Sequence, residues 1–193
     1  MAFIMLSLKR YNYFIVWFFL SCLPFVSYGD DFSAEIKQAE FILKDDTYVL
    51  SAKVDYHLSK KAIDALQNGV PLYWHLQIEL KQANVFFWSK SWVVVAKRYR
   101  LQYHALLNMY RLKNEDDGAE HNFSTLSSAL ELMSIVTNLP IIRNSALDIK
   151  QQYLCLVKLN FERDALPLPL RPFAYIDPQW YLSSDWTQWP LKK

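Results

Sequence analysis

Glycine is scarce in this sequence, with three residues among 193. This scarcity excludes a collagen-like or glycine-rich loop protein, and it excludes nucleotide-binding loops, whose phosphate cradles are built from glycine. A charge of predominantly one sign is also missing, because 21 Lys and Arg stand against 19 Asp and Glu. The sequence is therefore not a strongly basic nucleic-acid binder. With 52% hydrophobic residues it is not a disordered tail either.

The first 29 residues have the layout of a secretory signal peptide. Lys9 and Arg10 precede an uncharged apolar run, FIVWFFLSCL, and small residues lie just before the expected cleavage after Gly29. The run is shorter than the roughly 20 residues of a comfortable membrane span. We therefore expect residues 1–29 to be removed on export to the periplasm. The alternatives are an uncleaved N-terminal anchor in the inner membrane and a lipoprotein modified at Cys22.

The remaining residues, 30–193, are predicted to form one domain with no net charge. The segment 1–29 contains two basic residues and no acidic ones, so its removal balances the charges. No later stretch is apolar and long enough to span a bilayer. Cys155 is then the one cysteine left, which excludes an internal disulfide. Because it lies in the alternating run YLCLVKL, we interpret it as a buried core thiol and not as a nucleophile.

Alternation of apolar and polar residues with a period of two recurs along this domain and predicts strands. The segment 36–43 and the run from Tyr48 to Leu58 are expected to form a hairpin, with Asp45 and Asp46 in the turn. Further strands are predicted at 72–81, 91–103, 110–113, 121–123, 153–161 and 180–183.

Two segments interrupt the alternation and are predicted to be helices. Ser59 caps the first, which ends near Gly69, and Ser124 or Thr125 opens a second that continues to Pro140. The prolines and tryptophans after Leu166 predict an extended C-terminal segment. The expected fold is mainly β, an antiparallel sandwich of the immunoglobulin-like or C2-like kind with two helical crossovers.

Five sequence strings carry a family resemblance that covers nearly all of residues 30–193. They are ALQNGVPL from Ala65, RYRLQYHAL from Arg98, FSTLSSAL from Phe123, LPLPL from Leu166 and WYLSSDW from Trp180. In this order they resemble DUF4390, a family of exported proteobacterial proteins, although the aromatic pair expected after the third strand is replaced here by Phe86-Phe87-Trp88. The resemblance implies an exported domain without assigned catalytic residues. It also implies an association with a membrane sensor kinase, because the genes of family members often lie near a sensor-kinase gene.

No cofactor, metal or catalytic site is predicted. The four histidines lack metal-ligand spacing, and Asp55 with His57 on one strand face is interpreted as a solvated pair. Ser183 or Ser184 with Asp185 lacks the G-x-S-x-G turn of a hydrolase, and the string is also a good turn sequence. The expectation is therefore a protein that is not an enzyme.

A partner surface is the remaining candidate site. Basic residues alternate with aromatic ones around Arg98, and tryptophans flank the proline-broken tail. The basic residues are also explained by long side chains that lie over an apolar surface, and the tryptophans by packing. The candidate residues are Trp88, Trp92, Arg98, Arg100, Trp186 and Trp189.

Three functions follow in order of preference. The first is a periplasmic interaction or accessory module that binds an envelope protein, with the sensor kinase as the specific partner and no nucleic-acid role. The second is a carrier of a small ligand or lipid, which requires an apolar cavity between the sheets. The third is a hydrolase, which requires a histidine within hydrogen-bond reach of Ser183 or Ser184.

Overall fold

The computed structural model describes residues 32–83, 91–148 and 150–191, with only the backbone at 95 and 96. The predicted signal peptide, residues 1–29, and the candidate residue Trp88 lie outside this part of the chain. The described strands are β1 Ala34–Lys44, β2 Thr47–Tyr56, β3 Leu72–Gln82, β4 Trp92–His104, β5 Met109–Asn114, β6 Glu120–Phe123, β7 Ile135–Arg143, β8 Tyr153–Phe161 and β9 Thr187–Pro190. The helices are α1 Lys60–Gln67, α2 Leu126–Ser134 and α3 Arg171–Ile176.

The strands form two antiparallel sheets. The small sheet has the order β1-β2-β7 and the large sheet the order β6-β5-β4-β3-β8-β9. The predicted β1–β2 hairpin is confirmed, with Asp45 and Asp46 in its turn at φ angles of 44° and 65°. Two consecutive left-handed residues give the turn a twist that matches that of the flanking strands. Aspartate tolerates this conformation better than most residues, which explains the choice of sequence.

The core lies between the sheets, as the alternation predicted. Every second residue of β3 from Leu72 to Leu80 is at most 2% exposed, and Trp74 is fully buried. From the facing sheet, Leu50 and Val54 enter the same cluster of buried side chains. The rings of Tyr56 and Trp74 meet edge to face with centroids 5.9 Å apart, which joins the two layers directly. The antiparallel sandwich is therefore confirmed.

The first predicted helix is confirmed in its place, and the second ends earlier than predicted. Ser59 caps α1 by accepting a hydrogen bond from the Ala62 amide at 3.1 Å. Thr125 caps α2, but this helix ends at Ser134 and the chain continues directly as strand β7. The prediction that the helix runs to Pro140 was wrong.

Strand β7 can contain Pro140 because it is one of the two edge strands of the small sheet. An edge strand tolerates proline, since part of its N–H groups have no strand partner. The β-branched residues Ile135, Val136 and Ile141 favour this strand, and Val136 and Ile141 are buried against the core.

The C-terminal segment is less extended than predicted. It contains two 3-10 turns, Arg163–Ala165 and Pro178–Trp180, with α3 between them. The prediction of a strand at 180–183 is also wrong. Trp180 ends a 3-10 turn, and the strand described in this part of the chain is β9, Thr187–Pro190. Pro172 and Pro178 stand in the first turns of their helices, where a missing N–H and a fixed φ cost nothing.

Candidate interaction surface

The two arginines of the predicted surface lie on the outer face of the large sheet. Arg98 is opposite His75 and Arg100 is opposite Tyr73, so both side chains point away from the core. Arg98 donates two hydrogen bonds to Glu162, from Nε at 2.8 Å and from Nη2 at 2.7 Å. Its guanidinium also lies 4.4 Å from the ring centroid of Tyr73. The hydrogen bond to Glu162 raises the pKa of Arg98 further above its already high value.

A chain of polar contacts extends this pair along the outer face. His75 Nδ1 lies 3.4 Å from Glu162 Oε1, and its Nε2 lies 3.2 Å from the amide of Asn160. Asn160 donates to Gln77 at 3.2 Å, and Gln77 donates to Glu79 at 2.7 Å. The side chains of this face are thus held in place by one another, which lowers the entropy lost when a partner binds.

The five candidate residues that the structure describes do not form one patch. Arg100 pairs with Glu115 at 2.9 Å beside Arg98, while Trp92 stands six positions along β4, about 20 Å away at the usual strand rise. Trp186 directly precedes β9, and Lys158 Nζ lies 5.6 Å from its ring centroid. Trp189 is opposite Cys155 and packs against the core. The structure therefore brings Arg98 and Arg100 together, while Trp92 lies far along β4 and Trp189 packs against the core.

Ser183 and Ser184 have a structural role at the edge of β8. The Ser183 hydroxyl accepts a hydrogen bond from the Phe161 amide, and the Ser184 hydroxyl accepts one from the Leu159 amide, each at 2.9 Å. Ser184 also donates to the Asp185 carbonyl at 3.0 Å. Within the described residues neither hydroxyl has a histidine as a hydrogen-bond partner. The two serines extend the cover that β9 provides, so that β8 presents no open edge there.

The Asp55–His57 pair is close but isolated. Asp55 Oδ2 lies 3.3 Å from His57 Nε2, and both side chains are about half exposed. Among the described residues, no group of three or more His, Cys, Asp or Glu side chains is placed to hold a metal ion. A cleft of about 620 Å³ opens beside Asp55 and α2, but charged side chains such as Lys53 and Glu131 line it.

Exposed apolar side chains concentrate instead on the segment 163–181, which we call the C-terminal platform. Leu168, Phe173 and Ile176 are 74%, 65% and 80% exposed. Phe173 and Ile176 are three positions apart in α3 and therefore lie on one face of the helix. Large exposed apolar side chains grouped in one segment make the C-terminal platform a candidate interaction surface among the described residues.

The platform is rigidly built from its own sequence. Arg163 lies between two tyrosine rings, 4.7 Å from the centroid of Tyr175 and 5.3 Å from that of Tyr181. The Tyr175 hydroxyl donates to Asp164 at 2.6 Å, and this hydrogen bond raises the pKa of Tyr175. Beneath the platform, Trp180 is buried and stacks on Phe161 with centroids 6.2 Å apart.

An ion pair joins the platform to helix α1. Lys61 Nζ donates a hydrogen bond to Asp177, which lowers the pKa of this carboxyl. Asp177 also accepts from the Gln179 amide at 3.0 Å and so caps the last 3-10 turn. Sequence reasoning missed the platform, because LRPFAYI shows neither strand nor helix periodicity that would mark its exposed side.

The Arg98–Glu162 pair is expected to stabilise the fold modestly. Replacing Glu162 by glutamine keeps the shape and removes the charge, and should lower the free energy of unfolding by about 1 kcal/mol. The 41% exposure of Arg98 limits this value through solvent screening. Urea unfolding at low and high salt is the measurement, and the loss should shrink in high salt.

Glu120, whose ion-pair contacts are 3.6 and 3.7 Å, provides the control Glu120→Gln with an effect within about 0.5 kcal/mol. Equal losses for the two variants would contradict the assignment.

These features place the molecule in the class of mainly β domains built as an antiparallel sandwich of two sheets. The chain belongs to a family described as a domain of unknown function, DUF4390, whose model matches residues 32–190. No curated protein and no solved structure matches it. In the described residues, no helix is long and apolar enough to cross a membrane.

Proposed function

We propose that this protein is an exported, non-enzymatic module that binds an envelope protein through its C-terminal platform. The observation that carries the proposal is the exposure of Phe173 and Ile176 on a helix held by Arg163, Tyr175 and Tyr181. Burying two such side chains in a partner contributes several kcal/mol, and little ordering entropy is lost because the platform is already formed. Aromatic and arginine side chains at its centre are the residue types that dominate binding energy at interfaces.

The periplasm is the proposed location, in keeping with the signal-like sequence of residues 1–29. The extracytoplasmic region of a membrane sensor kinase is the specific partner that the family resemblance favours. The carrier hypothesis has less support, because buried side chains from both sheets fill the described interior as one cluster. The hydrolase hypothesis also has less support, because the hydroxyls of Ser183 and Ser184 are engaged by the backbone of β8.

Site-specific photocrosslinking in the native envelope tests the proposal. A photoreactive amino acid at position 173 should yield one discrete protein adduct, and Ile176→Ser in the same chain should reduce its yield about tenfold. A probe at Ile42, an exposed apolar residue of β1, is the matched control and should yield none. The absence of an adduct at position 173, or identical adducts at both positions, would contradict the proposal. Far-ultraviolet circular dichroism verifies that the variant is folded.

A further inference from the structure

The turn between β4 and β5 is a second exposed apolar feature, separate from the platform. Leu106 is fully exposed, and Leu107 and Met109 are 60% and 40% exposed. We call residues 105–109 the hairpin tip. A projecting turn normally carries polar residues, because the chain reverses in water there. Three large apolar side chains at the apex of a hairpin therefore need an apolar environment that the fold itself does not supply.

Two backbone amides and one side chain of the hairpin tip are hydrogen-bonded within the hairpin. The Leu107 amide donates to the His104 carbonyl at 3.1 Å, and the Asn108 amide donates to the Ala105 carbonyl at 3.2 Å. The side-chain oxygen of Asn108 accepts a hydrogen bond from the Tyr103 hydroxyl at 2.6 Å. These bonds hold Asn108 in a left-handed conformation at φ 51° and form the turn. Satisfied backbone groups are the requirement for entering a medium that cannot form hydrogen bonds.

Along the hairpin, the side chains change from apolar to aromatic to basic with distance from the apex. Behind the leucines, the rings of Tyr103 and Tyr110 pack with centroids 4.9 Å apart. Behind the tyrosines, Arg111 and Lys113 lie on the outer face of β5. They share one carboxylate, that of Glu120, at 3.7 and 3.6 Å, so the group of three keeps a net positive charge. This order matches a lipid leaflet, where apolar acyl chains are followed by the interface and then by negatively charged phosphates.

The hairpin tip also lies at the end of the sandwich where the described chain begins. Strand β4 ends where β3 begins, since Leu72 is opposite Leu101. Helix α1 connects β2 to β3 at this end. Just before α1, the His57 amide donates a hydrogen bond to the Ser33 carbonyl at 3.1 Å, so the first described residues lie at this end too.

From these observations we propose that the hairpin tip inserts Leu106 and Leu107 into the surface of a phospholipid bilayer. A bilayer fits better than a protein pocket, because the apex is a projecting turn with Leu106 fully exposed and Leu107 60% exposed. The platform starts from the end of β8, and Phe161 is opposite Trp74 near the start of β3, so it belongs to the same end. Membrane contact by the tip therefore leaves the platform close to the membrane surface, where the extracytoplasmic part of a membrane protein is found.

An environment-sensitive fluorophore tests insertion in the full chain. It is attached at Leu106→Cys in a Cys22→Ser background, where the remaining native thiol, Cys155, is buried. With vesicles of phosphatidylethanolamine and phosphatidylglycerol, its emission should shift to the blue and brominated acyl chains should quench it. A probe at Ser145→Cys, an exposed position beyond the opposite end of the small sheet, should show neither effect. Equal exposure of both probes to water would overturn the proposal.

A second variant separates insertion from simple proximity. With the probe at Met109→Cys, the added changes Leu106→Ser and Leu107→Ser should reduce quenching by brominated lipid about tenfold or more. Both leucines are exposed in the fold, so circular dichroism should show no loss of structure. Undiminished quenching would overturn the proposal. A shift that occurs with envelope membranes but not with protein-free vesicles would also overturn it and would assign the tip to a protein contact. Because position 173 is tested separately, either surface can fail alone.

Discussion

Replacing Trp74 with alanine is expected to lower the free energy of unfolding by about 4 kcal/mol, a large part of the stability of a domain of this size. The side chain is fully buried and lies where both sheets and the C-terminal segment meet. Its indole Nε1 donates to the Leu182 carbonyl at 3.2 Å, and its ring contacts Tyr56 and Phe161. Removal leaves a cavity among three elements that are each fixed by other contacts, so the site has little freedom to collapse.

Urea unfolding followed by circular dichroism is the measurement. Trp186→Ala is the matched control, since this tryptophan is 39% exposed, and its loss should cost less than about 1 kcal/mol. If Trp74→Ala does not fold, Trp74→Phe retains a ring and should lose about 2 kcal/mol through the missing hydrogen bond and the smaller volume. A Trp74 variant as stable as the Trp186 variant would contradict the central position of this side chain.

Cys155 is expected to react with iodoacetamide at pH 8 at least about a thousandfold more slowly in the folded protein than in urea. The side chain is completely buried, and burial raises the pKa of its thiol to about 12. An ordinary cysteine titrates near pH 8.5, so the thiolate at pH 8 is about a thousandfold rarer here. Mass spectrometry of the peptide containing Cys155 measures the rate without interference from Cys22.

The exposed position Gln188, on the strand that pairs beside Cys155, provides the control. Gln188→Cys should react at the rate of an ordinary thiol, and equal labelling of the two positions would contradict the burial of Cys155. The sign of the pH effect on stability follows from the same shift. The unfolded chain releases the thiol proton near pH 8.5 and the folded chain keeps it, so the free energy of unfolding should fall between about pH 8.5 and 12.

Strand periodicity predicted most of the sandwich because burial alternates wherever one face of a strand meets a core. Tyr48, Leu50, Ala52, Val54 and alternate residues of β3 are buried as that pattern requires. Val49, predicted on the outer face, is buried as well. Strand β7 escaped prediction because Pro140 and helical spacing in LSSALELMS favoured a longer helix. Its position beside β2 shows that pairing with a neighbour, and not local propensity, decided the structure there.

The candidate site was less predictable than the fold. Arg98 and Arg100 are two positions apart on one face of β4, but their partners Glu162 and Glu115 come from elsewhere in the sequence. Trp189 and Trp186 are three residues apart in the tail, yet one packs on the core and the other is exposed. The residue type does not distinguish a buried tryptophan from an exposed one, because burial depends on which element of the fold packs against the side chain.

The sequence by itself determined the mainly β character, the β1–β2 turn, the two capped helix starts and the buried, unpaired thiol of Cys155. Each of these follows from local spacing or from residue chemistry within a few positions. Only the tertiary structure decided that Phe173, Ile176 and Leu106 are left uncovered, and that Ser183 and Ser184 close the edge of β8. Exposure is a property of what packs against a side chain, and those neighbours are distant in the chain.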